Sequence, residues 1–337
     1  MKKHWLLIIA VLFTISILLG CASTSTASAE EYFAIGMAYY DMGKFSEAEK
    51  WLIRAKAKDK TMSASEYNLG RIAFETGRYE EAIKYFEAIL KRDPENVMAL
   101  KAAAYTRIRN GDLEKASALY DRLLAIVPES ADDGYNHALV LFAMKRYADA
   151  EQTLKKYEFA LLDNNDVLLL YARAQKEQKK VEAIDSYELW LTNNSDGKIN
   201  FEYAQVLEDH EFYARALENF RSAYESIPEG SENPSKQESR FNVARLLLIA
   251  DSESQEGITE MKGAVEEGFT DFETIELLLA DDRISNANIE SLKTIINDGK
   301  RTMAAKAAEE QTAAENEEEA VPAIEENETE QDFVNGN

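Results

Sequence analysis

The sequence predicts an all-α protein made of stacked helical hairpins. The prediction rests on a fixed 34-residue period, on apolar residues at helical spacing, and on a chain rich in Ala, Leu, Glu and Lys with only 14 Gly and 5 Pro. Ala48, Ala82, Ala116 and Ala150 lie 34 residues apart. Gly36 and Gly70 keep the same step, with Ala104 and Ala138 after them, and so do Gly43, Gly77 and Gly111. Four residues beyond each alanine stands a bulky apolar side chain: Leu52, Phe86, Tyr120, Leu154. Pro94 and Pro128 close two of the units.

The clearest unit reads YNLGRIAFETGRYEEAIKYFEAILKRDP, residues 67–94. In its first helix Leu69, Gly70 and Ala73 fall on one face. Gly77 marks the turn, where a helix must stop. Ala82, Phe86 and Ile89 form the inward stripe of the second helix, the small alanine allowing close approach and the ring filling the space beside it. One such pair cannot cover its own apolar face, whereas a stack of them can.

These residues resemble the tetratricopeptide repeat, whose pattern is W-x2-L-G-x2-Y, then A-x3-F, then P. The resemblance implies a right-handed α-solenoid of about seven helix–turn–helix repeats over residues 29–268. Beyond the four strict units, weaker ones centre on Ala183, on Ala216 and on Gly257, which occupies the alanine slot. Residues 269–303 carry two further helical patterns that suit an atypical capping unit. From 304 to 337 there is one last basic residue, Lys306, and a run of carboxylates among Ala, Asn, Gln and Thr; this composition predicts a disordered acidic tail.

The amino terminus reads differently. Lys2 and Lys3 precede an apolar run from Trp5 to Leu19, shorter than the roughly 20 residues a spanning helix needs. Leu18-Leu19-Gly20-Cys21 follows, then Ala22-Ser23-Thr24-Ser25-Thr26. A charged start, a short apolar core and small exit residues describe a secretory signal, with an uncleaved membrane anchor as the alternative. Cys21 is the only cysteine, so no internal disulfide can form. Leu-Leu-Gly-Cys resembles the lipobox of bacterial lipoproteins. That resemblance implies a signal peptide over 1–20, lipidation of Cys21 with diacylglyceryl and amino-terminal acyl groups, and a tether over 21–28. Ala22 in place of Asp implies the outer membrane rather than the inner.

Chemistry is sparse. Sixty-two acidic against 38 basic residues give a net charge of −24, which disfavours nucleic acid as a partner. The three histidines form no metal-ligand pair, and no second cysteine exists, so no metal site is predicted. His137 falls at an inward-packing position, and His210 lies near a turn. No nucleophile elbow or phosphate-cradling Gly-rich loop occurs. The expectation is a protein that is not an enzyme and carries no cofactor.

What remains is surface. In repeats of this type the free face of each first helix lines a concave groove. With Gly36 and Gly70 at position eight, positions five and nine place Phe33, Met37, Tyr67, Arg71, Lys101, Tyr105, Tyr135 and Arg173 there. Position five continues with Leu169, Phe201 and Phe241, and position nine with Leu139, Gln205 and Arg245. An aromatic groove with scattered cations suits a peptide or amphipathic ligand. Some relatives grip a partner's terminal carboxylate with Lys, Asn and Arg; Asn68 matches one slot of that set, while Phe33 and Met37 depart from it. The predicted role is a lipid-anchored periplasmic scaffold for envelope proteins or peptides. The alternative is a transporter-associated protein holding a small apolar solute.

Overall fold

The computed structural model describes residues 27–157 and 164–319, and among these only helices and turns occur. Seven consecutive helix pairs run α1 Ala29–Asp41 with α2 Phe45–Lys58, α3 Ser63–Glu75 with α4 Tyr79–Arg92, and α5 Val97–Arg109 with α6 Leu113–Ile126. They continue with α7 Ala131–Ala143 and α8 Tyr147–Lys155, α9 Asn165–Glu177 and α10 Ala183–Asn193, α11 Gly197–Asp209 and α12 Tyr213–Ser226, and α13 Lys236–Ala250 and α14 Gln255–Glu266. The short α15 Phe272–Leu277, a 3-10 turn at Leu278–Ala280 and the long α16 Asn286–Glu319 follow. The chain divides after Ala174 into two compact units.

In the first unit each pair closes over small residues. Ala48, Ala82, Ala116 and Ala150 have no exposed surface. A Cβ on Gly70 would lie 2.6 Å from Phe86 Cε1, and one on Gly36 would lie 2.8 Å from Leu52 Cγ. The bulky residue of the second helix thus sits directly on the small residue of the first. Gly43, Gly77 and Gly111 adopt φ of 71°, 75° and 83° at the turns, the left-handed region where glycine is unstrained. Lys145, Lys179 and Glu211 take the corresponding conformation in the next three pairs, at φ of 59°, 56° and 66°. There a side chain costs about 1–2 kcal/mol.

Ion pairs stitch one pair to the next. Buried Glu66 accepts from Lys56 of the preceding pair at 2.8 Å and from Arg92 of its own. Burial alone would raise its pKa, but hydrogen bonding from Arg92 and Lys56 outweighs it and holds the carboxyl below its ordinary value. Arg78 reaches back to Glu49 with two bonds of 3.0 Å.

In the second unit Ala183, Ala216 and Ala223 are fully buried. The seventh pair reverses the usual arrangement: a Cβ on Gly257 of the second helix would lie 2.8 Å from Leu248 Cγ of the first. The last core gathers Phe241, Phe269, Phe272, Leu292 and Ile296. One sequence expectation meets a different structure here. Helix α16 runs on to Glu319, past residue 304 where the disordered tail was expected to begin; alanine's high helix propensity explains the extension. Residues 320–337 lie outside the described residues, as do residues 1–20 where the signal peptide was expected, Cys21 and most of the expected tether.

Gly70→Ala tests the packing rule. Helix propensity alone predicts a gain of about 0.5–1 kcal/mol. The Cβ overlap with Phe86 predicts instead a net loss, and Ala82→Leu should lose about 1–3 kcal/mol by overpacking. Ala118→Leu, on the exposed face of α6, should be near neutral. Denaturant melts of the four proteins check the ranking; an unchanged midpoint for Ala82→Leu would refute it.

Candidate functional site

The first helices of the first unit present one face at i, i+4 and i+7, and the structure leaves that face partly open. Phe33, Met37, Tyr67, Arg71 and Tyr135 are half-buried, and Lys101 and Tyr105 are exposed. Met37 of α1 and Tyr67 and Arg71 of α3 meet at a cavity of about 340 Å3, with Asn68, Ile89 and Met98 completing its walls. Tyr67 leans on the buried Phe86 ring at 5.6 Å, which fixes its base in the core and leaves its edge to the cavity.

A band of rings extends from the cavity. The Arg71 guanidinium lies 4.5 Å from the centroid of the Tyr40 ring. Its Nη1 donates to Asn68 Oδ1 at 3.2 Å, and Asn68 Nδ2 donates to the Ala64 carbonyl at 2.9 Å. Asn68 therefore orients Arg71, and no carboxylate among the described residues pairs with it within 4.0 Å. Phe74 bridges onward to Tyr105 at 5.3 Å and to Tyr79 at 5.5 Å. Tyr105 is 50% exposed, which leaves its ring available to a ligand.

The remaining predicted residues stand further along. Lys101 Nζ is 2.7 Å from Asp133 Oδ2, a buried carboxylate that also accepts from Ser130 Oγ. Lys101 is thus committed to linking α5 and α7. Tyr135 packs, as Tyr171 and Phe142 do, against the buried cluster that holds Ala138, Leu141 and Leu154. Burial raises its phenol pKa, with Asp166 adding to the shift and Arg173 opposing it. Cys21 lies outside the described residues.

The second unit corrects the extension of the groove. Phe201 and Phe241 are each only 4% exposed. Phe201 meets Phe220 edge-on at 5.2 Å, and Phe241 stacks on Phe269 at 4.5 Å. Both are core. Arg245 forms a two-bond pair with Glu208 at 2.6 Å, and Lys176 donates to Gln205 Oε1 at 2.7 Å. Sequence reasoning missed Met98, 60% exposed near the start of α5, because it falls outside the i, i+4, i+7 stripe.

His137 is buried, as expected for a packed histidine. Its Nε2 lies 2.9 Å from Ser117 Oγ, and its ring stacks on Tyr120 at 5.8 Å. Burial pushes its pKa below 6.5, with Asp121 opposing. Burial, reinforced by Asp133, raises the Tyr120 phenol to about 12. Among the described residues no group of three His, Cys, Asp or Glu side chains could hold a metal ion, and no helix is long and apolar enough to cross a membrane.

Comparison with known proteins agrees with this architecture. The family model described as Tetratricopeptide repeat matches residues 33–86 and 67–131, so this stretch of the first unit is a tetratricopeptide-repeat array. An uncharacterized lipoprotein of Treponema pallidum is 24% identical over 164 residues, 49% of this chain and 84% of that protein. A TPR repeat-containing protein of Methanocaldococcus jannaschii is 32% identical over 193 residues, 56% of this chain but only 31% of its own length. The crystal structure of a tetratricopeptide repeat protein from Parabacteroides merdae covers 80% of this chain and 98% of its own, with 21% identity and a TM-score of 0.48.

The histidine gives a pH test. The unfolded chain takes up the His137 proton near the ordinary value, whereas the folded chain does so only at lower pH. Between the two values the unfolded state binds more protons, so stability falls as pH drops through about 6.5. Melting temperatures should decline from about pH 7.5 to about pH 5.5, and less steeply in His137→Gln. Parallel declines in both proteins would show that His137 does not contribute.

Proposed function

We propose that this chain is a lipid-anchored scaffold of a bacterial cell envelope, and that the groove of its first unit binds a peptide segment of a partner protein. The observation that carries the reading is the meeting of Met37, Tyr67 and Arg71 at an open cavity beside the Phe74–Tyr105 rings. The cavity takes an apolar or aromatic side chain. Arg71, oriented by Asn68 and without a carboxylate partner among the described residues, takes a neighbouring carboxylate of the peptide. Interface energy concentrates in such aromatic and arginine positions. The tetratricopeptide repeats support a binding role over a catalytic one. Anchoring is supported by Leu18-Leu19-Gly20-Cys21 and by the Treponema relative that is itself called a lipoprotein. Two or more acyl chains on Cys21 would hold the chain stably at the membrane, facing the periplasm.

Two measurements test the two halves. Arg71→Ala with Tyr105→Ala should keep the helical signal and most of the melting temperature, since neither side chain is core. The double variant should lose the partner that wild type crosslinks in intact envelopes, while Ile53→Ala, 49% exposed on α2, retains it. Equal capture by both variants would move the binding surface elsewhere. For the anchor, cells fed an alkyne palmitate analogue should label wild type and not Cys21→Ser; label on the serine variant would refute lipidation at this residue.

A further inference from the structure

Helix α16 has two halves that share one face. Asn288, Leu292, Ile296 and Gly299 lie on the face that packs into the second unit and are buried. The crossing is close, because a Cβ on Gly299 would lie 2.6 Å from Phe272 Cε1 and 2.7 Å from Val265 Cγ1. Beyond Gly299 the same face, read at i, i+3 and i+4, continues as Thr302, Met303, Lys306, Glu309, Glu310 and Ala313. All of these are exposed, Met303 at 45%. From residue 300 the helix continues about 30 Å to Glu319 at 1.5 Å per residue. Most helical stability in proteins comes from packing an amphipathic face, and residues 300–313 of this half are all exposed among the described residues.

At the root of the projecting half, between α14 and α16, lies a cavity of about 770 Å3. Val265, Phe272, Ile295 and Met303 give it an apolar floor, and Lys262 and Lys306 stand among its lining residues. The helix is also polarised along its length. Lys293, Lys300, Arg301 and Lys306 precede a stretch that from Glu309 onward holds no basic residue. A parallel copy would set like charge on like. An antiparallel copy sets acid on base twice, because an isologous contact repeats every pair across its two-fold axis.

We propose that a second copy of this chain occupies this cavity, the projecting halves of two α16 helices pairing antiparallel about an axis near residue 308. Lys306 of each protomer then faces Glu310 of its partner, and Met303 faces Ala313. The small alanine admits the methionine, and the acidic end of each helix lies over the Lys262 and Lys306 rim of the other.

The test uses two full-length chains with different tags, coexpressed and oxidised in isolated membranes. One carries Met303→Cys and the other Ala313→Cys; the wild-type pair sets the baseline for Cys21. A disulfide-linked heterodimer is expected. Lys306→Glu in both chains should cut its yield by about tenfold or more through like-charge contact, and adding Glu310→Lys should restore it. Both positions are exposed, so folding is not at stake. No heterodimer above baseline, or one indifferent to Lys306→Glu, overturns the proposal. Carbodiimide coupling of Lys306 to a carboxylate within residues 320–337 of the same chain overturns it too, by assigning the cavity to the chain's own tail.

Discussion

Each helix pair closes by setting a large side chain on a small one, and the register of the fold follows from that contact. Ala48, Ala82, Ala116, Ala150, Ala183 and Ala216 have no exposed surface. Where the first helix carries glycine, the partner side chain descends onto its backbone, Leu52 over Gly36 and Phe86 over Gly70. In the seventh pair the glycine moves to the second helix and Leu248 descends from the first. Thus the fold conserves volume across the contact while the side that supplies the bulk can change. Interiors pack at crystal-like density, so a single methylene at such a point must displace its neighbour.

This contact also decides what is left for binding. The second helix turns its apolar stripe to its own pair and to the next one, and the first helix keeps one face on which position five and nine side chains stand. In the first unit those side chains are partly open, and at the Met37–Tyr67–Arg71 cavity they converge. In the second unit the equivalent Phe201 and Phe241 are consumed by ring contacts with Phe220 and Phe269, and Arg245 is consumed by Glu208. The same slots therefore give a surface in one unit and a core in the other, depending on whether a neighbouring ring reaches them.

The strict 34-residue spacing made the first four pairs legible, because a small residue recurs at each closed contact and glycine marks the first three left-handed turns. Legibility fades where another residue bears the strain: Lys145, Lys179 and Glu211 hold the turn conformation without the glycine that would announce it. Gly257 was readable only as a vacancy in the alanine slot, since its partner had changed sides. The groove stripe could be counted from the sequence, but whether a ring on it was buried depended on a residue some 20 to 30 positions away, as with Phe201 and Phe220 or Phe241 and Phe269. The length of α16 was hidden for a different reason. Low apolar content argued against a packed segment, whereas the local alanine propensity that draws the helix to Glu319 is indifferent to packing.

Charge and position together mark Arg71. The chain carries 62 acidic residues, and in the first unit several cations use them to join successive repeats. Arg78 reaches Glu49, Arg107 reaches Glu87, and Lys56 reaches Glu66. Lys101 is spent in the same way on Asp133. Arg71 instead takes a neutral amide and the face of an aromatic ring, Asn68 and Tyr40. Neither neutralises it. Its guanidinium is held in place next to an apolar cavity, with no carboxylate among the described residues to compensate its charge. A ligand carboxylate arriving there meets a preorganised donor and displaces no existing ion pair, which is the condition under which a charged contact favours association.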